Sequence, residues 1–151
     1  TFEFWVSTSS KRGFSSVLIS KFDGSNSPLL FEIDGDVIGV GVQAASFNQK
    51  TRSGKAKDDV HTVINDGRWH HVAAVKLARR VLLFVDGKLE GQLNGVPSIA
   101  TKSPWKAGNH IQGDGATARL CRIRVSRSAR YLLPFTPEKH YVPDKDTSFT
   151  R

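Results

Sequence analysis

Methionine is absent from this 151-residue chain, and cysteine occurs once. No apolar run approaches the roughly 20 residues that a membrane-spanning helix needs. The single cysteine, Cys121, excludes an internal disulfide and any cysteine-based metal cluster. It falls in an alternating apolar segment without a polarising neighbour, which predicts a buried, inert thiol rather than a nucleophile. No signal-peptide pattern is present. A chain that opens at Thr1 without methionine reads as a domain taken from a longer protein, so a missing leader says nothing of export. Acid is scarce relative to base: 14 Asp and Glu stand against 22 Lys and Arg, a net charge of +8. That imbalance steers anionic partners towards the chain, whether acidic glycan, nucleic acid or a membrane surface.

What is present is a period of two, punctuated by turn residues. Apolar residues make up 38% of the chain and charged residues 24%, ordinary values for a globular protein. The length predicts a single domain, 1–151, able to bury a sizeable core. Strands are expected at "TFEFWV" (1–6), "SSVLISKF" (15–22), "PLLFEID" (28–34) and "DVIGVGVQA" (36–44), the last two joined by an Asp34-Gly35 turn. Residues 45–59 read as a loop or a loosely paired edge. Further strands are expected at "HTVI" (61–64), "RWHHVAAVK" (68–76), "RVLLFV" (80–85) and "KLEGQLN" (88–94). The last is predicted dry at Leu89, Gly91 and Leu93 and wet at Lys88, Glu90 and Gln92. Residues 98–117 are loop-rich with one short strand. "ARLCRIRVSR" (118–127) alternates, with Cys121, Ile123 and Val125 inward and Arg122 and Arg124 outward. The tail from Ser128 carries three prolines and is expected to wrap rather than pair. No amphipathic helix is evident. The reading is an all-β sandwich.

The adjacent histidines His70 and His71 cannot grip one metal, because neighbours on a strand point to opposite faces. Trp69 and His71 are expected to pack inside the sandwich, and Trp5 also reads as core. His70 would line the other face. No zinc-ligand spacing is found.

With the strands placed, "FEFWV", "LISK" (18–21), "DGRWHHVAAV" (66–75), "LLFVDGKLEG" (82–91) and "RLCRIRVSRSARYLLPFTP" (119–137) resemble, in order, laminin G-like domains of the concanavalin A-like jelly-roll superfamily. The resemblance implies a jelly-roll sandwich of two antiparallel sheets. It also implies recognition of carbohydrate or protein by rim loops or the concave sheet. "VPDKDTSFT" (142–150) resembles the lead-in to a closing strand, here expected to be truncated or supplied elsewhere. The late strand departs from the family's Ile-Asp-Glu-Val-Arg-Ile: the acidic positions hold Cys121 and Arg122, so contacts made through those carboxylates do not carry over. The paired-glutamate strand of the superfamily's glycosidases is also missing.

Nothing else points to catalysis. Glu32 and Asp34 share a face, but Asp34 is explained by its turn. Neither a Gly-x-Ser-x-Gly elbow nor a phosphate-cradling loop occurs. The expectation is a non-enzymatic binding module for glycan, acidic glycan favoured, in the cell envelope, periplasm or extracellular space. A protein-interaction or spacer domain is the alternative. Trp105, Asn109 and His110 are the candidate sugar contacts. Arg122 and Arg124, expected side by side, would hold sulfate or carboxylate. Nucleic acid is disfavoured, since aromatics do not interleave with the arginines. Calcium is the cofactor that some relatives imply; Asp23, Asn26 and Asp114 are the oxygen donors on turn-like segments.

Overall fold

The computed structural model describes residues 1–11, 16–44, 47–52, 61–108 and 116–150. Among them no helix occurs, and the strands form two antiparallel sheets. In chain order these are β1 (Phe2–Ser7), β2 (Ser16–Ser20), β3 (Ser27–Asp34), β4 (Val37–Ala44), β5 (Phe47–Arg52), β6 (His70–Leu77), β7 (Arg80–Val85), β8 (Lys88–Leu93), β9 (Lys106–Ala107), β10 (Arg119–Ser126) and β11 (Thr147–Thr150). One sheet has the order β11-β10-β1-β6-β7-β8, the other β5-β4-β3-β2-β9. The expected two-sheet sandwich is therefore present.

Alternation builds the core. Phe2, Phe4 and Val6 of β1 face Phe31 and Ile33 of β3 and Ile38, Val40 and Val42 of β4; Val72, Ala74, Val81, Leu83 and Val85 complete the layer. Phe4 meets Phe31 edge-on, ring centroids 5.0 Å apart at 89°, a favoured aromatic geometry. The opposite face of the six-stranded sheet is also dry. Ala73, Val75, Leu82 and Phe84 form a second cluster there, capped by Tyr131 and Phe135 from the tail. Tyr131 and Phe135 stack on each other at 3.5 Å. The tail thus wraps over this face, but it also pairs, against expectation: beyond the last proline, Pro143, it returns as β11 against β10.

Several local expectations are corrected. The basic stretch contains a true edge strand, β5, paired with β4 from Ala44↔Phe47 to Gly39↔Arg52. "HTVI" is not a strand: its polar atoms go to Glu90, which accepts from the Thr62 backbone and hydroxyl, and Ile64 N donates to Asp36 O. β8 does not keep one dry face, because its register against β7 shifts between Leu83 and Phe84. The extra residue puts Leu89 on the tail-covered face and Leu93 in the main core, while Glu90 is buried. β10 also carries a bulge. Its register against β1 slips by one between Glu3↔Arg124 and Trp5↔Cys121, and Arg122 takes a left-handed φ of 51°. The bulge changes the phase of the strand. Leu120, Ile123 and Val125 face the core, and Cys121 lies opposite Trp5, half-buried rather than inside.

Candidate functional site

Trp69 and His71 are not in the inter-sheet core. β6 begins at His70, so Trp69 belongs to the preceding turn and is 42% exposed. His71 is fully buried, but on the tail-covered face, where Trp5, Tyr131, Phe135 and Tyr141 surround it edge-on. Trp5 is half-buried on the same face, its indole donating to Glu138 O at 3.3 Å.

Beneath the tail lies a buried polar network. Glu3 Oε1 accepts from Arg124 Nε at 2.8 Å, and Glu3 Oε2 accepts from the Tyr131 hydroxyl at 2.8 Å and lies 3.1 Å from His71 Nε2. Arg124 also donates to Glu138 and to Tyr131, both at 3.0 Å, and covers the Tyr141 ring at 4.2 Å. Burial pushes the Glu3 carboxyl up, but the bonds from His71, Arg124 and Tyr131 outweigh it and hold Glu3 below the usual carboxylate range. Burial raises the hydroxyls of Tyr131 and Tyr141, and the Glu3 charge adds to it. Glu3, Arg124 and Tyr131 are consumed by one another, whereas His71 Nδ1 and the Tyr141 hydroxyl are buried without a hydrogen-bond partner among the described residues. The network fastens the tail to the sheet.

Two further carboxylates organise the rim. His70 Nδ1 lies 2.8 Å from Asp86 Oδ2, and Nε2 lies 3.0 Å from Asp66 Oδ1. The His71 amide donates to the other Asp86 oxygen. The two histidine rings therefore diverge, each to its own acid. The Asp86 hydrogen bond raises the His70 pKa above 6.5, helped by Asp66 and opposed by burial. The clamp fixes the turn at 65–67, which is bonded from Gly67 N to Thr8 O at 2.9 Å.

Next to that turn is a polar cavity of about 290 Å³ between the ends of β1 and β10, lined by Ser7, Thr8, Ser9, Gly67, Thr117 and Arg119. The Ser7 hydroxyl donates to Gly67 O and accepts from Arg119, and the Thr8 hydroxyl donates to Thr117 O. The Arg119 guanidinium lies 5.4 Å from the Trp69 ring centroid, within cation–π range. An exposed indole, a guanidinium and several hydroxyls thus share one rim. Reading the sequence missed this group because its members come from three distant segments. The available signal was Trp69's place two residues after Gly67 of the Asp66-Gly67 turn, at the edge of a turn rather than in a strand interior.

The sequence-predicted contacts are dispersed. Trp105 packs on Phe2, ring centroids 4.5 Å apart, remains 38% exposed, and walls a different, apolar groove. Asn109, His110 and Asp114 lie outside the described residues. The flanking backbone returns to one strand, Gly108 N to Leu18 O and Ala116 N to Val17 O. Arg122 and Arg124 do not form a side-by-side pair. The bulge leaves Arg122 exposed and sends Arg124 under the tail onto Glu3, where acid and base are buried together. Asp23 accepts from the backbone of Ser25 and Asn26 and from the Asn26 amide, bonds that hold its pKa at about 2. That closed turn presents donors of its own to the carboxylate, and Asp114, the other carboxylate of the expected calcium set, lies outside the described residues. Among the described residues no group of three or more His, Cys, Asp or Glu is placed to hold a metal.

Comparison with known proteins agrees with the two-sheet architecture. A model of the laminin G type, described as concanavalin A-like lectin/glucanases superfamily, matches residues 1–131. The chain belongs to this family. No curated protein sequence matches it. Among solved structures, this family member is similar to the binding domain of botulinum neurotoxin serotype D/C VPI 5993, with a TM-score of 0.50 and 12% identity over 78% of the chain and 29% of the toxin fragment. The serotype C1 binding domain matches at a TM-score of 0.44 and 13% identity, over 69% and 29% of the two chains. The laminin G-type chain thus spans under a third of the length of either structure. At such identity the likeness to the serotype D/C domain is one of fold.

Proposed function

We propose that this domain is a non-catalytic carbohydrate-binding module, acidic glycan favoured, working in an extracellular, periplasmic or envelope setting as part of a larger protein. The observation that carries the reading is the rim cavity where Arg119 and four hydroxyl-bearing residues meet beside Trp69. A sugar ring offers C–H faces to an indole and hydroxyls to polar side chains. A carboxylate or sulfate substituent suits a guanidinium, which binds oxyanions through paired N–H donors. The net charge of +8 steers such ligands inward.

A glycan array, run with and without calcium, tests this. Acidic glycans are expected to bind in both conditions, with Arg119→Ala weakening binding about tenfold or more, the loss of one charge-assisted contact, and Trp69→Ala weakening it through loss of the apolar platform. Binding only with calcium would return the Asp23 turn to consideration. No binding above background to any glycan would overturn the proposal. The second reading, a protein-interaction domain, is favoured by Leu132, Leu133 and Val142, which expose 60%, 76% and 73% of their surface on the tail. A silent array would leave that reading standing.

A further inference from the structure

The two sheets end unequally on one side. The six-stranded sheet closes with β10 and β11, eight and four residues long, whereas β9 on the other sheet has two. Ile123, Val125 and Phe149 face inward from the longer sheet. Among the described residues no strand of the other sheet extends beyond β9 to cover them. The result is a groove of about 460 Å³, walled by Phe2, Ile19, Trp105, Ile123, Val125 and Phe149. Its volume falls in the range of small-molecule sites, about 300–1,000 Å³. Its edges are open: Trp105 is 38% exposed and Phe149 48%. Its mouth is cationic. Lys106 lines it and is exposed, and Lys21 Nζ stands 6.0 Å from the Trp105 ring.

We propose that this groove is a second binding site, separate from the rim cavity, that takes one acyl chain with an anionic head group. The apolar walls remove methylenes from water, and the lysines at the mouth meet the head. A neutral sugar suits the groove poorly, since few polar side chains line it to satisfy buried hydroxyls. An anion without a chain would leave the walls wet. A cationic amphiphile would set like charges together at the mouth.

Tryptophan fluorescence of the whole chain, titrated with octanoate, decanoate and dodecanoate, reads the site through Trp105. Affinity is expected to rise about fourfold for each added methylene. Trp105→Phe keeps an aromatic ring against Phe2 and should abolish the signal change, while calorimetry still detects binding. Phe149→Arg, at a half-exposed edge position, should block binding in both measurements with the thermal midpoint unchanged. Lys106→Glu should weaken dodecanoate but not dodecanol. Arg119→Ala should leave all of these unchanged, which separates this site from the glycan reading. Three outcomes would overturn the proposal: no chain-length dependence, equal affinity for dodecyltrimethylammonium, or a dimer that Phe149→Arg converts to monomer. The last would make a second copy of the chain the occupant.

Discussion

Arg124 illustrates how one side chain can hold two layers together. It is 1% exposed, yet its guanidinium reaches Glu3 of β1 and Tyr131, Glu138 and Tyr141 of the tail. A buried charge is tolerated only when paired and hydrogen-bonded, and removing one partner strands the other. Arg124→Met is therefore expected to lower unfolding free energy by about 3–5 kcal/mol, measured by urea denaturation. An unchanged midpoint would show the network to be incidental. His70 makes a different prediction, in pH. Its pKa is raised, so the stability it contributes is full below 6.5 and is lost as pH rises through the higher folded value. Its partners behave in the opposite sense. The His70 hydrogen bond lowers Asp66; for Asp86, burial opposes the shift, but the His70 and His71 bonds prevail. Their contribution is present above 3.8 and is lost as pH falls through the lower folded values. Thermal midpoints should thus be highest between about pH 4 and 6.5, with an alkaline decline that His70→Asn flattens.

Turns and bulges decide what each strand presents. The β7–β8 turn places Asp86 and Gly87 at φ 48° and 78°, the left-handed pair that suits a tight hairpin. Gly87 serves the tail as well: Phe135 N donates to its carbonyl at 2.9 Å, and a Cβ there would lie 1.7 Å from Phe135 O. Gly87→Ala meets both backbone strain, about 1–3 kcal/mol, and a collision with main chain. The expected result is a tail released from the second apolar cluster, seen as faster proteolysis within 128–146 and as exposure of Trp5. Retained protection would show that the Glu3–Arg124–Tyr131 network and the β10–β11 pairing hold the tail without the Gly87 contact. The bulge in β10 has the same standing. One inserted residue sends Arg124 inward beneath the tail and Arg122 outward, two fates that simple alternation cannot separate.

Among the described residues the sandwich is shut on one side and open on the other. At the shut side β5 meets β8 so closely that a Cβ on Gly91 would stand 2.8 Å from Arg52 O. The outer face of the five-stranded sheet is crossed there by ion pairs, Lys50–Glu32 at 2.8 Å and Arg52–Asp34 at 2.6 Å, reaching over Gly39 and Gly41 of β4. Many acids are spent in such internal pairs. Arg119, Arg122, Lys88 and Lys106 remain exposed. The basic surplus is thereby displayed, which is why both proposed ligands are anions. The open side carries the apolar groove, and the rim between β1 and β10 carries the polar cavity.

Alternation and turn chemistry are local, so "FEFWV", the Asp34-Gly35 hairpin and the divergence of His70 from His71 were legible in the chain alone, as was the jelly-roll class they resemble. The wrapping of the tail was legible too, from its prolines, but its return as a paired β11 contradicts the expectation that it would not pair. The fates of Arg124, Cys121 and Leu89 were not. Each depends on a bulge, and a bulge is set by how two strands pair, which no single segment encodes. Ser7, Trp69, Thr117 and Arg119 meet at one rim only because β1, the turn before β6 and the start of β10 become neighbours when the sheet closes. Where a strand runs regularly, a side chain's direction follows from its nearest neighbours in sequence; at a bulge its direction, and everywhere its company, follow from the packing of segments distant in the chain.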